Sequence, residues 1–386
     1  MVISSGEINA EVASLYFHVP FCKRKCDYCH FYAIPDKKPF LEQFMEGLKL
    51  EWDCWVSDLQ ANRICSIYFG GGTPALLGPK NIETLLSRIQ RANISLSRDI
   101  EITLEANPED TTPGLIKSYA SLGINRVSIG VQSLDDRLLQ SISRRHTAQK
   151  AREAVLATKD GGISNISIDL MYDLPGQTLT MWEKTLHDVL DLPITHLSLY
   201  NLVIEPHTVF YKKRDALQSL LPDSDTSLRL YEKAIEKLQN VEWKQYEISA
   251  FQKQGHYSRH NTGYWTARPF LGFGPSAFSY WGGKRFRNVA NLNRYTKALR
   301  QGRSPVDFEE ELPEAAKRRE LLAINLRLLE GVDRIEFERK HGSLDRQTKT
   351  TIESLTQQGL LKKSGKRLAL TNRGVHLYDT IAAEII

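Results

Sequence analysis

Residues 14–32 read "SLYFHVPFCKRKCDYCHFY": a short apolar and aromatic run that stops at a proline and opens into a loop with three cysteines. "SLYFHV" (14–19) has the composition of a strand. The loop after it has two readings. From Cys26 it is C-x-x-C-H, the attachment pattern of a c-type haem. From Cys22 it is C-x-x-x-C-x-x-C, three thiolates on one short loop, which suits one face of an iron–sulfur cluster.

Strand-like runs recur outward from this stretch: "CSIYFG" (65–70), "EITLEA" (101–106), "RVSIGV" (126–131), "NISIDLMY" (165–172) and "HLSLYNL" (196–202). They read as near-continuous buried strands. Helical patterns separate them: "FLEQFMEGLKLEWDCWVSDL" from Phe40, "KNIETLLSRIQRA", "TPGLIKSYASLG", "TAQKAREAVLATKDGG" and "TLTMWEKTLHDVLDL". Thr112-Pro113 opens one of these helices and Gly123 closes it. This β-α succession predicts an α/β fold, a partial (β/α)6 barrel over residues 1–235, with a further helix near 224–239. Residues 236–304 read as an irregular, glycine- and aromatic-rich segment that closes the barrel and carries "HNTGYW". Residues 305–386 read as three helices, a small hairpin and a last helix, a winged-helix-like C-terminal domain. Such a unit can read nucleic acid, but "LDRQTKTTIESL" offers only Arg346 and Lys349, so packing is the expected role.

Composition agrees with a globular chain: 386 residues, 41% hydrophobic and 25% charged. The net charge of +5, from 51 basic and 46 acidic residues, is a small excess that reads as a mildly basic surface rather than nucleic-acid binding, and an anionic small ligand is also compatible. No apolar run approaches the ~18 residues that span a bilayer. "MVISSGEINAEVAS" lacks the basic and apolar regions of a signal peptide. The expected compartment is the cytoplasm, where the 5 cysteines should not form disulfides. Covalent haem attachment usually accompanies export, so the c-type haem reading weakens. Cys54 falls in a helix and Cys65 begins the second strand, at the rim away from the loop. Cys22, Cys26 and Cys29 then hold a [4Fe–4S] cluster with one open iron. A zinc ion on Cys22, Cys26, Cys29 and His30 is the alternative inventory.

In a β/α barrel, function collects at the C-terminal ends of the strands. The cysteine loop, "GGGTP" (70–74), Glu105 and Asn107, Gln132 and Ser133, Asp169, and Tyr200 and Asn201 all fall at or near such ends. "GGGTP" completes neither a Walker loop nor a dinucleotide fingerprint, but three glycines let the backbone approach a ligand closely.

Tyr16–Cys29 fits Y-x-H-x-P-F-C-x-x-x-C-x-x-C. Together with "FGGGTP", "LEANPE", "GVQS", "SIDLMYDLPGQT" and "YNLVIEPHT" it resembles the radical S-adenosylmethionine (SAM) proteins of the oxygen-independent coproporphyrinogen oxidase group. The resemblance runs over nearly the whole chain. It implies that Cys22, Cys26 and Cys29 bind the cluster and that SAM's amino and carboxylate groups chelate the fourth iron. It further implies SAM contacts at Tyr16, Tyr28, Gly71, Gly72, Thr73, Glu105, Gln132, Arg144 and Asp169. The residue types are suitable: Glu105 can accept from ribose hydroxyls, Arg144 offers a donor fork to a carboxylate, and Tyr28 gives an adenine a wall.

The group has two branches. The oxidase branch carries a further cysteine where this chain has Phe31, and a longer extension than the 13 residues before the first strand here. The haem-chaperone branch resembles this chain better, with C-x-F after the cluster and an H-N-x-x-Y-W motif linked to haem. That motif stands here as His260, Asn261, Tyr264 and Trp265. An imidazole can ligate haem iron and aromatic faces can cover the macrocycle. The alternative is that His260 and Trp265 pack the open side of the barrel. One departure from the pattern is His30, where relatives carry an acidic or amide residue. The resemblance therefore implies a protein that binds haem as cargo and delivers it to acceptor proteins. Membrane respiratory enzymes would be among these, met from the cytoplasm or the inner face of the membrane by a monomer or homodimer. The enzymatic alternative is SAM-dependent oxidative decarboxylation of coproporphyrinogen, and a nucleic-acid-binding regulator is the third reading.

Overall fold

Each strand-like run forms a strand: β1 (Glu11–Val19), β2 (Asn62–Gly71), β3 (Ser95–Ala106), β4 (Arg126–Gln132), β5 (Asn165–Tyr172) and β6 (His196–Asn201). The six are parallel and neighbour one another in chain order. The structure, a computed structural model, describes residues 11–386; residues 1–10, most of the stretch read for a signal peptide, lie outside it. Helices Lys38–Leu59, Gly78–Arg91, Pro113–Ser121, Ala148–Asp160 and Leu179–Leu190 connect the strands. Thr112 caps the third of these as expected, its side chain accepting from the Leu115 amide.

The strands alternate more strictly than the sequence reading allowed. Leu15, Phe17, Val19, Ile67, Phe69, Leu104, Val127 and Ile129 are buried in the apolar layer shared with the helices. The intervening positions form laterally matched rows: Ser14, Tyr16 and His18 pair with Ser66, Tyr68 and Gly70, and Ser128 and Gly130 pair with Ser167 and Asp169. Side chains of successive strand residues point to opposite faces, so these polar rows share the inner face. The strands are buried along most of their length, as expected, but their two faces differ in polarity. The outer face carries the hydrophobic core, and the barrel interior is polar.

The segment 236–304 is not irregular. β7 (Lys244–Glu247) and β8 (Ala250–Gln252) extend the sheet beyond β6. β9 (Phe270–Phe273) pairs in parallel with the other edge of the barrel, at β1. β10 (Phe278–Trp281), β11 (Lys284–Asn288) and β12 (Val306–Glu310) continue outward, giving a 12-stranded sheet in the order β12-β11-β10-β9-β1-β2-β3-β4-β5-β6-β8-β7. These strands are short and glycine-interrupted, which concealed them. Gly272 is required: a Cβ there would lie 2.1 Å from the Phe278 carbonyl oxygen. Between the two additions, the helix Arg259–Trp265 enters the barrel.

The C-terminal unit has its own core, including Leu321, Leu326, Phe337, Ile352, Leu368 and Ile381. Helices Glu314–Asn325, Arg334–His341 and Arg346–Gln357 pack with β13 (Val332–Asp333), β14 (Leu361–Ser364) and β15 (Arg367–Leu370). The single last helix expected from 372 onward is two, Asn372–His376 and Tyr378–Ile385. Gly374 is pressed onto the Leu360 carbonyl, and Leu377 leaves helical geometry at φ −110°. Among the described residues no helix is long and apolar enough to cross a membrane.

Candidate functional site

At the C-terminal rim of the barrel lies a cavity of about 440 Å³. Its walls hold Cys22, Cys26 and Cys29 on one side, and Gly71, Gly72, Thr73, Glu105, Gln132, Arg144 and Asp169 around the others, with Tyr28 between. The structure thus brings together all three cysteines and every candidate SAM position except Tyr16. Tyr16 lies deeper, its hydroxyl 3.1 Å from His18 Nδ1. Cys54 is exposed and its thiol donates to the Leu50 carbonyl one helical turn away, while Cys65 Sγ lies 3.9 Å from Ser14 Oγ. Neither lines the cavity.

The cysteine loop is laced to the glycine loop. The Gly72 amide donates to the Val19 carbonyl at 2.8 Å and the Thr73 amide to the Phe21 carbonyl at 2.7 Å. A Cβ on Gly72 would meet the Phe21 carbonyl oxygen at 2.6 Å and Cys22 Sγ at 3.1 Å, so glycine permits this approach. Gly71 has φ +110° and sits over the His18 ring. Its amide donates to Glu105 Oε2 at 3.0 Å. The amides of Gly71, Gly72 and Thr73 are therefore committed within the protein, while all three residues line the cavity. The glycines bring the backbone close; side chains supply the polarity.

Thr73 Oγ1 donates to Cys22 Sγ at 3.8 Å, and Arg144 Nη1 to Cys26 Sγ at 3.6 Å. Arg144 Nη2 donates to Asn107 Oδ1 at 2.9 Å and to the Gly130 carbonyl, and Asn107 Nδ2 donates to Thr73 Oγ1 at 2.8 Å. Burial pushes the Cys22 thiol up to about 11 and raises that of Cys29. Without metal these sulfurs therefore keep their protons, and a metal held by them would have to displace those protons. Among the described residues, no three His, Cys, Asp or Glu side chains are arranged to hold a single metal ion. A zinc ion needs its donors converged at about 2.0–2.3 Å. Cys22, Cys26 and Cys29 line one cavity, and a hydroxyl and a guanidinium donate to two of the sulfurs.

Glu105 also accepts from Tyr68 OH at 2.7 Å, and burial lifts its carboxyl to about 7. Burial raises Asp169 as well; Ser128 Oγ donates to it at 3.4 Å. Gln132 occupies the left-handed region at φ 66°, at a register shift between β4 and β5. Such non-glycine strain costs of order 1–3 kcal/mol and collects at functional sites. Arg144 Nε has no partner among the described residues, leaving a buried donor for an anionic ligand group. Sequence reasoning missed Tyr68 and passed over Asn107 as a contact. Both follow from strand alternation, since Tyr68 shares the inner face with Ser66 and Gly70.

The structure does not bring the H-N-x-x-Y-W motif to this cavity. His260 is 1% exposed, with Nδ1 3.0 Å from Ser66 Oγ and Nε2 2.9 Å from Tyr264 OH. Ser66 pairs with Ser14, five residues before the end of β1. At ~3.3 Å per strand residue, that is roughly 16 Å below the rim. Glu101 accepts from the Arg259 and His260 amides, both at 3.0 Å, and fixes the helix there. Both ring nitrogens of His260 are bonded, and the helix plugs the lower barrel. Trp265 instead faces Arg327 of the C-terminal unit, whose guanidinium lies 4.3 Å from its ring centre. Asn261 donates its amide to Ser258 Oγ in the helix cap.

Comparison with known proteins follows this division. Residues 16–189 match the radical SAM superfamily and residues 312–377 match the HemN C-terminal domain. The chain is 33% identical to "Heme chaperone HemW" of Bacillus subtilis over 94% of this chain and 96% of that protein. It is 32% identical to "Heme chaperone HemW" of Escherichia coli over 94% of each. Among solved structures, coproporphyrinogen III oxidase (HemN) from Escherichia coli superposes with a TM-score of 0.85 at 22% identity, covering 97% of this chain and 90% of that one. At that identity the likeness establishes the fold.

Proposed function

Because the chain belongs to the HemW family of radical SAM proteins, we propose that it is a haem carrier, taking up haem and passing it to acceptor proteins. Similarity to proteins named heme chaperones, running through both units of the chain, carries this reading. Phe31 supports it, because an apolar ring stands where the oxidase pattern calls for another cysteine.

Cys22, Cys26 and Cys29 would hold a [4Fe–4S] cluster through three thiolates. When bound, the cluster supplies an iron with an open position for the amino and carboxylate groups of SAM. Around it, Arg144 would offer its unpartnered Nε–H to an anionic group, and Glu105 would accept from ribose hydroxyls. Thr73 and Arg144, which donate to Cys22 and Cys26, would temper the negative charge of the cluster's thiolates. Haem acceptors, membrane respiratory enzymes among them, would be met from the cytoplasmic side, and a homodimer is compatible with this role.

Anaerobic reconstitution with iron and sulfide tests the proposal. The reconstituted protein should take up haem stoichiometrically and transfer it to an apo-acceptor. It should form no protoporphyrinogen from coproporphyrinogen with SAM and an electron donor. Protoporphyrinogen formation without haem transfer would establish the enzymatic reading in its place.

A further inference from the structure

We infer that haem is held across the mouth of the rim cavity, with His30 as its axial ligand and Phe31 against the macrocycle. This rests on the haem-carrier reading above and locates its cargo.

His30 is the histidine among the residues lining the cavity. The ring nitrogens of His18, His146, His196 and His260 are engaged by protein partners. His30 is exposed and lines the cavity, and its ring makes no hydrogen bond among the described residues. It stacks on Phe31 with ring centres 4.5 Å apart at 30°. This contact limits the freedom of both rings and presents the imidazole edge to solvent. Phe31 is itself 50% exposed at the same mouth, and Tyr200 and Val203 across from the cysteine loop are 44% and 58% exposed. A cluster of large aromatic and apolar side chains left in water around a cavity marks a ligand face.

The charges at the mouth select among apolar ligands. Arg24, Lys25 and Arg145 line it, are exposed and form no ion pair among the described residues. The acids of the lining are Glu105, Glu109, Asp169 and Glu205. A flat apolar ligand with carboxylate tails and a metal that accepts imidazole satisfies all three features, and haem has that chemistry. Its size places it at the mouth. A cavity of about 440 Å³ is in the range for one medium-sized ligand, and the SAM-binding candidates Thr73, Glu105, Gln132, Arg144 and Asp169 are less exposed than Arg24, Lys25, His30 and Phe31. One protein ligand on the exposed side leaves the other axial position of the iron open. Transfer then proceeds by ligand exchange: an acceptor side chain bonds to the open position and the bond to His30 breaks, with no change of iron oxidation state.

Haem titration of the full chain, as purified and after cluster reconstitution, provides the test through the Soret band. His30→Ala should weaken haem binding at least tenfold and shift the band, and added imidazole should restore its position. It should leave the cluster absorbance unchanged. His260→Ala, checked for folding by circular dichroism, should leave the Soret position where it was. Charge reversal of Arg24 and Lys25 should weaken haem but not its dimethyl ester. An unchanged Soret band in His30→Ala would overturn the assignment and leave the carrier function standing. Loss of the cluster in that variant would overturn it in favour of a cluster ligand. Failure of the unmodified protein to bind haem at all would remove both.

Discussion

At the residue scale, the three loop cysteines separate from the other two by surroundings. Cys22→Ala, Cys26→Ala or Cys29→Ala should each abolish the visible absorbance and EPR signal of the reconstituted cluster. Cys54→Ala and Cys65→Ala should leave both intact, and loss of signal in either would place a fourth ligand away from the cavity. Glu105 carries a pH dependence of calculable sign. Burial lifts its carboxyl from 4.5 to about 7, so the folded protein without ligand holds a proton there over a range in which the unfolded chain does not. On its own account, stability therefore falls as pH rises from 4.5 through 7. Bound SAM, with its sulfonium and ribose hydroxyls, favours the ionised form, so affinity should rise as pH passes upward through 7. Glu105→Gln should lose ~1–3 kcal/mol of binding above pH 7 and show a flat profile. Calorimetry across this range checks it, and an unaltered profile in the variant would assign the titration elsewhere. The residues of this cavity were legible because a strand end, a glycine loop and a cysteine spacing are local signals. Tyr68 and Asn107 were less so, because their roles depend on which neighbours the barrel sets beside them.

At the element scale, the alternation within the strands explains the plug. "SLYFHV", "EITLEA", "RVSIGV" and "NISIDL" each place a polar or small residue at every second position. Read one strand at a time, they looked like continuous buried strands with occasional polar interruptions. Read across the sheet, the interruptions align into an inner wall that needs polar partners. The helix Arg259–Trp265 supplies them from a point more than 150 residues away, by bonds that no local pattern announces. Its two leading amides rest on Glu101, whose carboxylate also suits the positive end of the helix. Glu101→Ala would leave both amides unpaired in a buried setting. It should lower stability by ~1–3 kcal/mol for each donor left without an acceptor. Glu101→Gln keeps one acceptor oxygen and should lose less. Thermal unfolding of the metal-free chain orders the two variants; equal loss in both would show that the charge, rather than the acceptor count, fixes the helix.

At the scale of the whole molecule, the H-N-x-x-Y-W motif joins the two units of the chain rather than opening onto the rim. His260 and Tyr264 face into the barrel, while Trp265 meets Arg327, which also lies 5.1 Å from the Tyr378 ring. Arg327 Nη2 reaches Glu247 Oε2 at 3.4 Å, and the Glu247 side chain is only 6% exposed. The Leu329 amide bonds the Tyr246 carbonyl beside it at 3.0 Å. One guanidinium thus spans β7, the plug helix and the last helix. Removing it strands a buried carboxylate, which costs roughly 3 kcal/mol at the lower end of such cases, and takes away two cation–π contacts. Arg327→Ala should therefore hasten protease cleavage near residues 305–313, where the two units connect. Adding Glu247→Gln should recover part of the resistance by removing the unpaired charge. Trp265→Ala should raise cleavage in the same place, because it loses the face on which Arg327 rests. That outcome, with haem uptake retained, would account for the motif as an anchor of the C-terminal unit. Loss of haem uptake in Trp265→Ala with proteolysis unchanged would return the motif to the haem site.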